Sequence, residues 1–168
     1  MEIKIEKAAP EDAEALLEYL KIVGGETENL TFGPEGIPIP IGAEREYLSS
    51  LLHSTTSVMF VAKRGDEIVG NASFSGMTKE RLKHRGELSV CVKRAAWGQG
   101  IGSRLMDAIL DFAKHTAQVE IVSLEVRSDN TRAIKLYEKY GFEKMGTFRG
   151  FFKIHDAYVD FDYMNLYL

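Results

Sequence analysis

Three glycines at alternate positions, Gly98, Gly100 and Gly102, follow the apolar run Val90-Cys91-Val92 and overlap the start of a helical pattern, Ile101, Leu105, Ala108, Ile109 and Phe112. Ordering a glycine costs more backbone entropy than ordering any other residue, so three within five positions imply a physical need. Close approach of bare main chain to a ligand supplies one. A helix opening adds unpaired N–H groups and the positive end of a dipole, and together these suit an anion, phosphate above all. The segment reads as strand, phosphate-cradling turn and helix. The plain alternative is a flexible turn ahead of a helix start.

Two phosphate motifs fit the spacing poorly. A P-loop places Lys-Ser or Lys-Thr after its last glycine, whereas Ser103-Arg104 follows Gly102 here. A dinucleotide fingerprint needs Gly-x-Gly-x-x-Gly and an acid near the end of the next strand. Ser103 stands where the third glycine belongs, and Glu120 lies at the start of its strand. Other reactive side chains give weaker signals. Cys91 sits in a β-branched run with no base beside it, which favours a small buried hydrophobe over a covalent nucleophile. His53, His84, His115 and His155 have no metal-ligand spacing, so no metal site is expected.

The elements that must position this turn follow from periodicity. Ile3 and Ile5 alternate with charges as a short strand. Pro10, Glu11 and Asp12 open a helix carrying Ala13, Leu16, Leu17 and Leu20, which Gly24-Gly25 is expected to end. Residues 24–43 hold five glycines and three prolines and read as a long loop, of the kind that forms a lid or a binding wall. A second helix is expected over 43–52 with Tyr47, Leu48, Leu51 and Leu52 inward. Strands over 58–62, 68–74 and 87–92 form a meander. After the glycine turn and its helix come a strand over 120–126, a helix capped by Asn130 and closed by Gly141, and two strands within 142–168. On the last helix Ala133, Leu136, Tyr137 and Tyr140 share a face, so Tyr137 reads first as a core aromatic. The order β-α-α-β-β-β-α-β-α-β-β predicts one α/β (α+β) domain over residues 1–168. Its sheet is mixed and mostly antiparallel, with a parallel crossover between strands 4 and 5.

Bulk composition narrows the class. The 168 residues carry 25 acidic and 21 basic side chains, net −4, with one cysteine. Such a chain shows no basic surface for nucleic acid and can form no internal disulfide. No leader-like or membrane-length apolar run is present, so a cytoplasmic protein with no membrane partner is expected.

Two motifs taken together resemble the GCN5-related N-acetyltransferase (GNAT) superfamily. Trp97-Gly98-Gln99-Gly100-Ile101-Gly102 stands where the family has Arg/Gln-x-x-Gly-x-Gly/Ala, and the run from Asn130 to Phe142 (Asn-Thr-Arg-Ala-Ile-Lys-Leu-Tyr-Glu-Lys-Tyr-Gly-Phe) stands where it has Asn-x-x-Ala-x-x-Leu-Tyr-x-x-x-Gly-Phe. The resemblance implies a sheet of about seven strands, splayed between strands 4 and 5 and flanked by about four helices. It also implies acetyl-CoA as cosubstrate and direct attack of a primary amine on the thioester. Residues 97–103 (Trp97, Gly98, Gln99, Gly100, Ile101, Gly102 and Ser103) are expected to cradle the pyrophosphate. Val90, Cys91 and Val92 are expected to pair with the pantetheine arm, and Asn130 to contact it. Tyr137 would protonate the departing thiolate, and Glu87 would serve as base or as partner of its water. Trp97 departs from the usual Arg or Gln, which shifts the grip on phosphate towards backbone amides. The C-terminal run is similar to the branch containing ribosomal-protein N-terminal and polyamine acetyltransferases. The acceptor is therefore expected to be a small amine, a polyamine or a peptide N-terminus, in a possible homodimer. A non-catalytic acyl-CoA-binding module of the same fold and a dinucleotide oxidoreductase are the alternatives.

Overall fold

The structure is a computed structural model that describes residues 2–168. Its elements run β1 (Ile3–Lys7), α1 (Ala13–Glu26), α2 (Ile41–Leu52), β2 (Ser57–Arg64), β3 (Glu67–Gly76), β4 (Arg85–Val92), α3 (Ile101–Asp111), β5 (Ile121–Arg127), α4 (Thr131–Lys139), β6 (Glu143–Ile154) and β7 (Ala157–Tyr167). The seven strands form one sheet in the order β1-β2-β3-β4-β5-β7-β6. All neighbours are antiparallel except β4 and β5. The four-helix, seven-strand mixed architecture expected from the sequence is the one present.

Helices cover both faces of the sheet, which explains why β3 is buried almost continuously from Ile68 to Ala72. On one face α3 and α4 pack against Leu88 of β4 and Val122, Leu124 and Val126 of β5. Leu105, Met106 and Ile109 of α3 are fully buried there, each worth about 1.5–3 kcal/mol of apolar transfer. On the other face α1 and α2 bury Leu16, Leu17, Tyr19, Leu20, Val23, Leu48 and Leu51 against Val61 and Ile68.

Two local expectations are corrected. Gly24-Gly25 does not end α1, which continues to Glu26. A Cβ on Gly24 would lie 2.0 Å from the Gly33 carbonyl oxygen, so this glycine serves close packing of the returning loop, not helix termination. On α2, Leu48 and Leu51 are buried but Tyr47 and Leu52 face solvent, because the helix meets the protein along one narrow stripe. It also starts two residues before the expected position.

The crossover from β4 to β5 positions the site. The two strands pair only through Arg85↔Ile121, Gly86↔Val122 and Glu87↔Ser123. Beyond Glu87 they diverge, leaving one edge of β4 without a strand partner.

Candidate active site

The split between β4 and β5 opens into a cleft of about 530 Å3, walled by β4, the glycine turn, and the start of α4. Alternation along β4 decides what its open edge offers. The Lys93 N–H donates inward to Val69 on β3 (2.9 Å), so the odd-numbered residues bond β3 and the main-chain groups of Val90 and Val92 face the split. The Tyr19 hydroxyl, buried under α1, donates to the Cys91 carbonyl (2.9 Å) and fastens the inward edge. Burial pushes the Cys91 thiol upward, so it is a poor nucleophile despite lining the cleft.

Past β4 the chain turns through a short helical turn, Arg94–Ala96, into the glycines. Gly98 and Gly100 take φ of 77° and 73°, the left-handed region, and a Cβ on either would meet nothing within 4 Å. Glycine is needed here for the backbone path, not to relieve crowding by the protein. Gly102 differs, since a Cβ added there would lie 3.3 Å from Leu136 Cδ2 of α4. No side chain caps α3 at Gly100, so the first-turn amides of the helix are open to an anion at the cleft. Ile101 and Ser103 also line the cleft, whereas Gln99 turns its side chain out to accept from Arg64 (2.8 Å).

Asn130 caps α4, its Oδ1 accepting from the Ala133 amide (3.3 Å), and borders the cleft as well. Tyr137 is 6% exposed and lines the cleft from the α3/α4 side. Burial, reinforced by neighbouring Cys91, pushes its phenol up to about 12. It therefore stays protonated across the physiological range and is a proton donor by default.

Glu87 lies away from the cleft lining. It is exposed, 3.7 Å from the Arg85 guanidinium, on the face of the sheet away from α3 and α4. One residue the sequence reading missed is Glu125 on β5, which does line the cleft. Val122, Leu124 and Val126 face α3 and α4, so Glu125 projects to the other face. There it opposes Tyr163 of β7. Partial burial raises its carboxyl above the ordinary value; the Glu87 charge adds to the rise, and the Tyr163 hydroxyl offsets part of it. A carboxyl shifted upward thus stands on one face of the split and a buried, neutral phenol on the other.

A second cavity, of about 780 Å3, lies between the end of α1 with the loop that follows it, residues 24–35, and residues 151–154 of β6. It shares Thr27 and Leu30 with the cleft. Its wall carries Phe151 and Phe152, which cluster with Phe161 at centroid distances of 4.6 and 4.4 Å. Glu28 ties the loop to the sheet through His155 (3.3 Å) and Arg127 (3.9 Å). No group of three metal-binding side chains occurs among the described residues, and no helix among them is long and apolar enough to cross a membrane.

Comparison with known proteins bears on this geometry. Residues 27–142 match the model of the acetyltransferase (GNAT) family. The chain is 32% identical over 98 residues to the L-amino acid N-acetyltransferase AaaT of Escherichia coli, covering 58% of this chain and 60% of that protein. It is 35% identical over 100 residues to the N-alpha-acetyltransferase RimI of Mycobacterium tuberculosis, covering 58% and 61%. The match thus spans about three-fifths of each relative's length. Among solved structures, a GNAT-family acetyltransferase from Streptococcus pneumoniae superposes with a TM-score of 0.95 over 99% of this chain and 100% of the other, at 24% identity.

Proposed function

The chain belongs to the acetyltransferase (GNAT) family, and from that premise we propose that it transfers an acetyl group from acetyl-CoA to a primary amine by direct attack on the thioester. The observation that carries this reading is the placement of Glu125 and Tyr137 on opposite faces of the one gap in the sheet. In this reading the pantetheine arm runs along the open edge of β4 at Val90 and the Val92 N–H, the Val92 carbonyl being held by the Trp97 indole, and its diphosphate rests on the amides from Gly98 to Ser103. Asn130 borders the arm. An alkylammonium with a pKa of about 10.4 must lose a proton before it can attack. Glu125 takes that proton. The amine nitrogen then bonds the acetyl carbon, the carbon–sulfur bond breaks, Tyr137 gives its proton to the departing thiolate, and the second proton lost by the adduct nitrogen as it becomes an amide restores the Tyr137 phenol. Glu87 acts on Glu125 through its charge and does not touch the reacting atoms.

The acceptor enters from the cavity beneath residues 24–35. Phe151 and Phe152 suit an apolar substrate body, and Glu125 suits its ammonium. An amino acid, a peptide N-terminus and a polyamine all present that combination. The test is release of CoA from acetyl-CoA over a panel of these three amine classes. Turnover of at least one class at pH 7, lowered at least about tenfold in Glu125→Gln and in Tyr137→Phe, is the expected result. Binding of CoA with no turnover on any amine would reduce the protein to an acyl-CoA-binding module. Stabilisation by a nicotinamide dinucleotide and not by CoA would overturn the reading altogether.

A further inference from the structure

Trp97 occupies the place where the glycine turn would otherwise present a polar or cationic side chain, so the site needs its positive charge from elsewhere. The indole is fixed by two features. Its Nε1 donates to the Val92 carbonyl at 2.8 Å, and its ring lies beneath the Arg132 guanidinium, 4.4 Å from the centroid. Both residues line the cleft.

Among the described residues Arg127 is the one other cation lining the cleft, and Arg94 lies 5.9 Å from the same indole. Arg94 donates its backbone amide to the Glu26 carboxylate at 2.9 Å and its guanidinium to the Glu26 carbonyl. Arg127 is held by Asp129 at 2.7 Å and by Glu28. Lys139 reaches the Ser103 hydroxyl at 3.4 Å. Arg132 has no carboxylate within ion-pair distance among the described residues. A guanidinium stacked on an aromatic face keeps its in-plane N–H donors available, and that planar fork matches phosphate geometry.

We infer that Arg132, held on the Trp97 indole, supplies the cationic contact to the phosphates of the acyl carrier that position 97 does not make itself. This rests on the acetyl-CoA reading above. Arg132 binds the anion directly; Trp97 is a positioning residue that presents the guanidinium and closes the last carbonyl on the open edge of β4.

The experiment compares acetyl-CoA with S-acetylpantetheine, which carries the same thioester and no phosphate. The readout is the ratio of their kcat/KM values, alongside CoA affinity by calorimetry at two salt concentrations. Arg132→Gln should shrink the ratio about tenfold, in the range of one charge-assisted contact, and flatten the salt dependence of CoA binding. Arg132→Lys should retain part of the ratio. Trp97→Leu should shrink it in the same sense, since the arginine then loses its support. An unchanged ratio in Arg132→Gln overturns the inference, as does an equal loss on both donors, which would mark a merely structural role. Failure of the wild-type protein to bind CoA would instead sink the underlying assignment.

Discussion

Replacing Glu125 by Gln keeps the volume and removes the charge, so its effect isolates proton transfer. At pH 7 an alkylamine of pKa about 10.4 is neutral in roughly one molecule in 2,500. A variant without a base must wait for that neutral fraction. The deficit in kcat/KM at pH 7 should fall in the range of about 100- to 1,000-fold, within what general-base catalysis supplies. It should then narrow about tenfold for each unit of pH, because the neutral amine becomes tenfold commoner, and shrink to about tenfold or less near pH 9.5. Stability should move the other way. Partial burial, then the charge of Glu87, holds the Glu125 carboxyl above its ordinary value. Its contribution to folding is therefore fully present below the unfolded pKa and lost as pH rises through the folded one. Glu125→Gln should leave the melting temperature at pH 7 equal to wild type or higher. Steady-state kinetics across pH 6–10 and thermal denaturation provide the assay. A deficit that stays constant with pH, or a fall in melting temperature matching the loss of activity, would refute the reasoning.

Tyr137→Phe should lower kcat about 10- to 100-fold with little change in KM for acetyl-CoA, and since the phenol titrates at about 12, the wild-type profile should show no alkaline limb from it below pH 10; steady-state rates check both. Gly100→Ala forces a side chain into φ of 73° and should cost about 1–2 kcal/mol in denaturant titration, whereas Gly102→Ala, facing only a movable Leu136 terminus, should cost less. Asp162 is buried, yet its carboxyl sits below the usual value because the Ser128 and Thr147 hydroxyls (2.7 and 2.8 Å) and the Lys144 ammonium (3.2 Å) outweigh the burial. Its stabilisation is present above the unfolded pKa and lost as pH falls through the folded one. Asp162→Asn should therefore lower stability by about 1–3 kcal/mol at pH 7 and by progressively less below about pH 4, read by thermal melts over that range.

How much of this was legible in the sequence depends on the kind of constraint each residue meets. Gly98 and Gly100 carry their constraint in residue type, since a left-handed φ favours glycine and the requirement is local. The helices α3 and α4 announce themselves by spacing, and Asn130 and Gly141 mark the ends of α4 by their chemistry. Gly24 carries the same residue type for a different reason. Local rules read it as a helix end, and only the approach of the Gly33 carbonyl from a loop nine residues on shows that the helix continues past it. Arg132 is a further step removed. Its contact with Trp97 spans 35 residues and joins two elements that meet only after β5 is threaded. Glu125 is the extreme case. Along the chain it is one polar residue in an alternating strand, indistinguishable from Ser123 or Arg127. Its carboxyl is shifted upward because the fold takes it partly out of water and β4 brings the Glu87 charge near, while Tyr163, placed beside it by β7, offsets part of the rise. A carboxylate on a strand is common, so nothing in its type or spacing announces a base. What recommends it for the proposed role is its place beside a gap in the sheet, and the gap is a property of where β4 and β5 stop pairing.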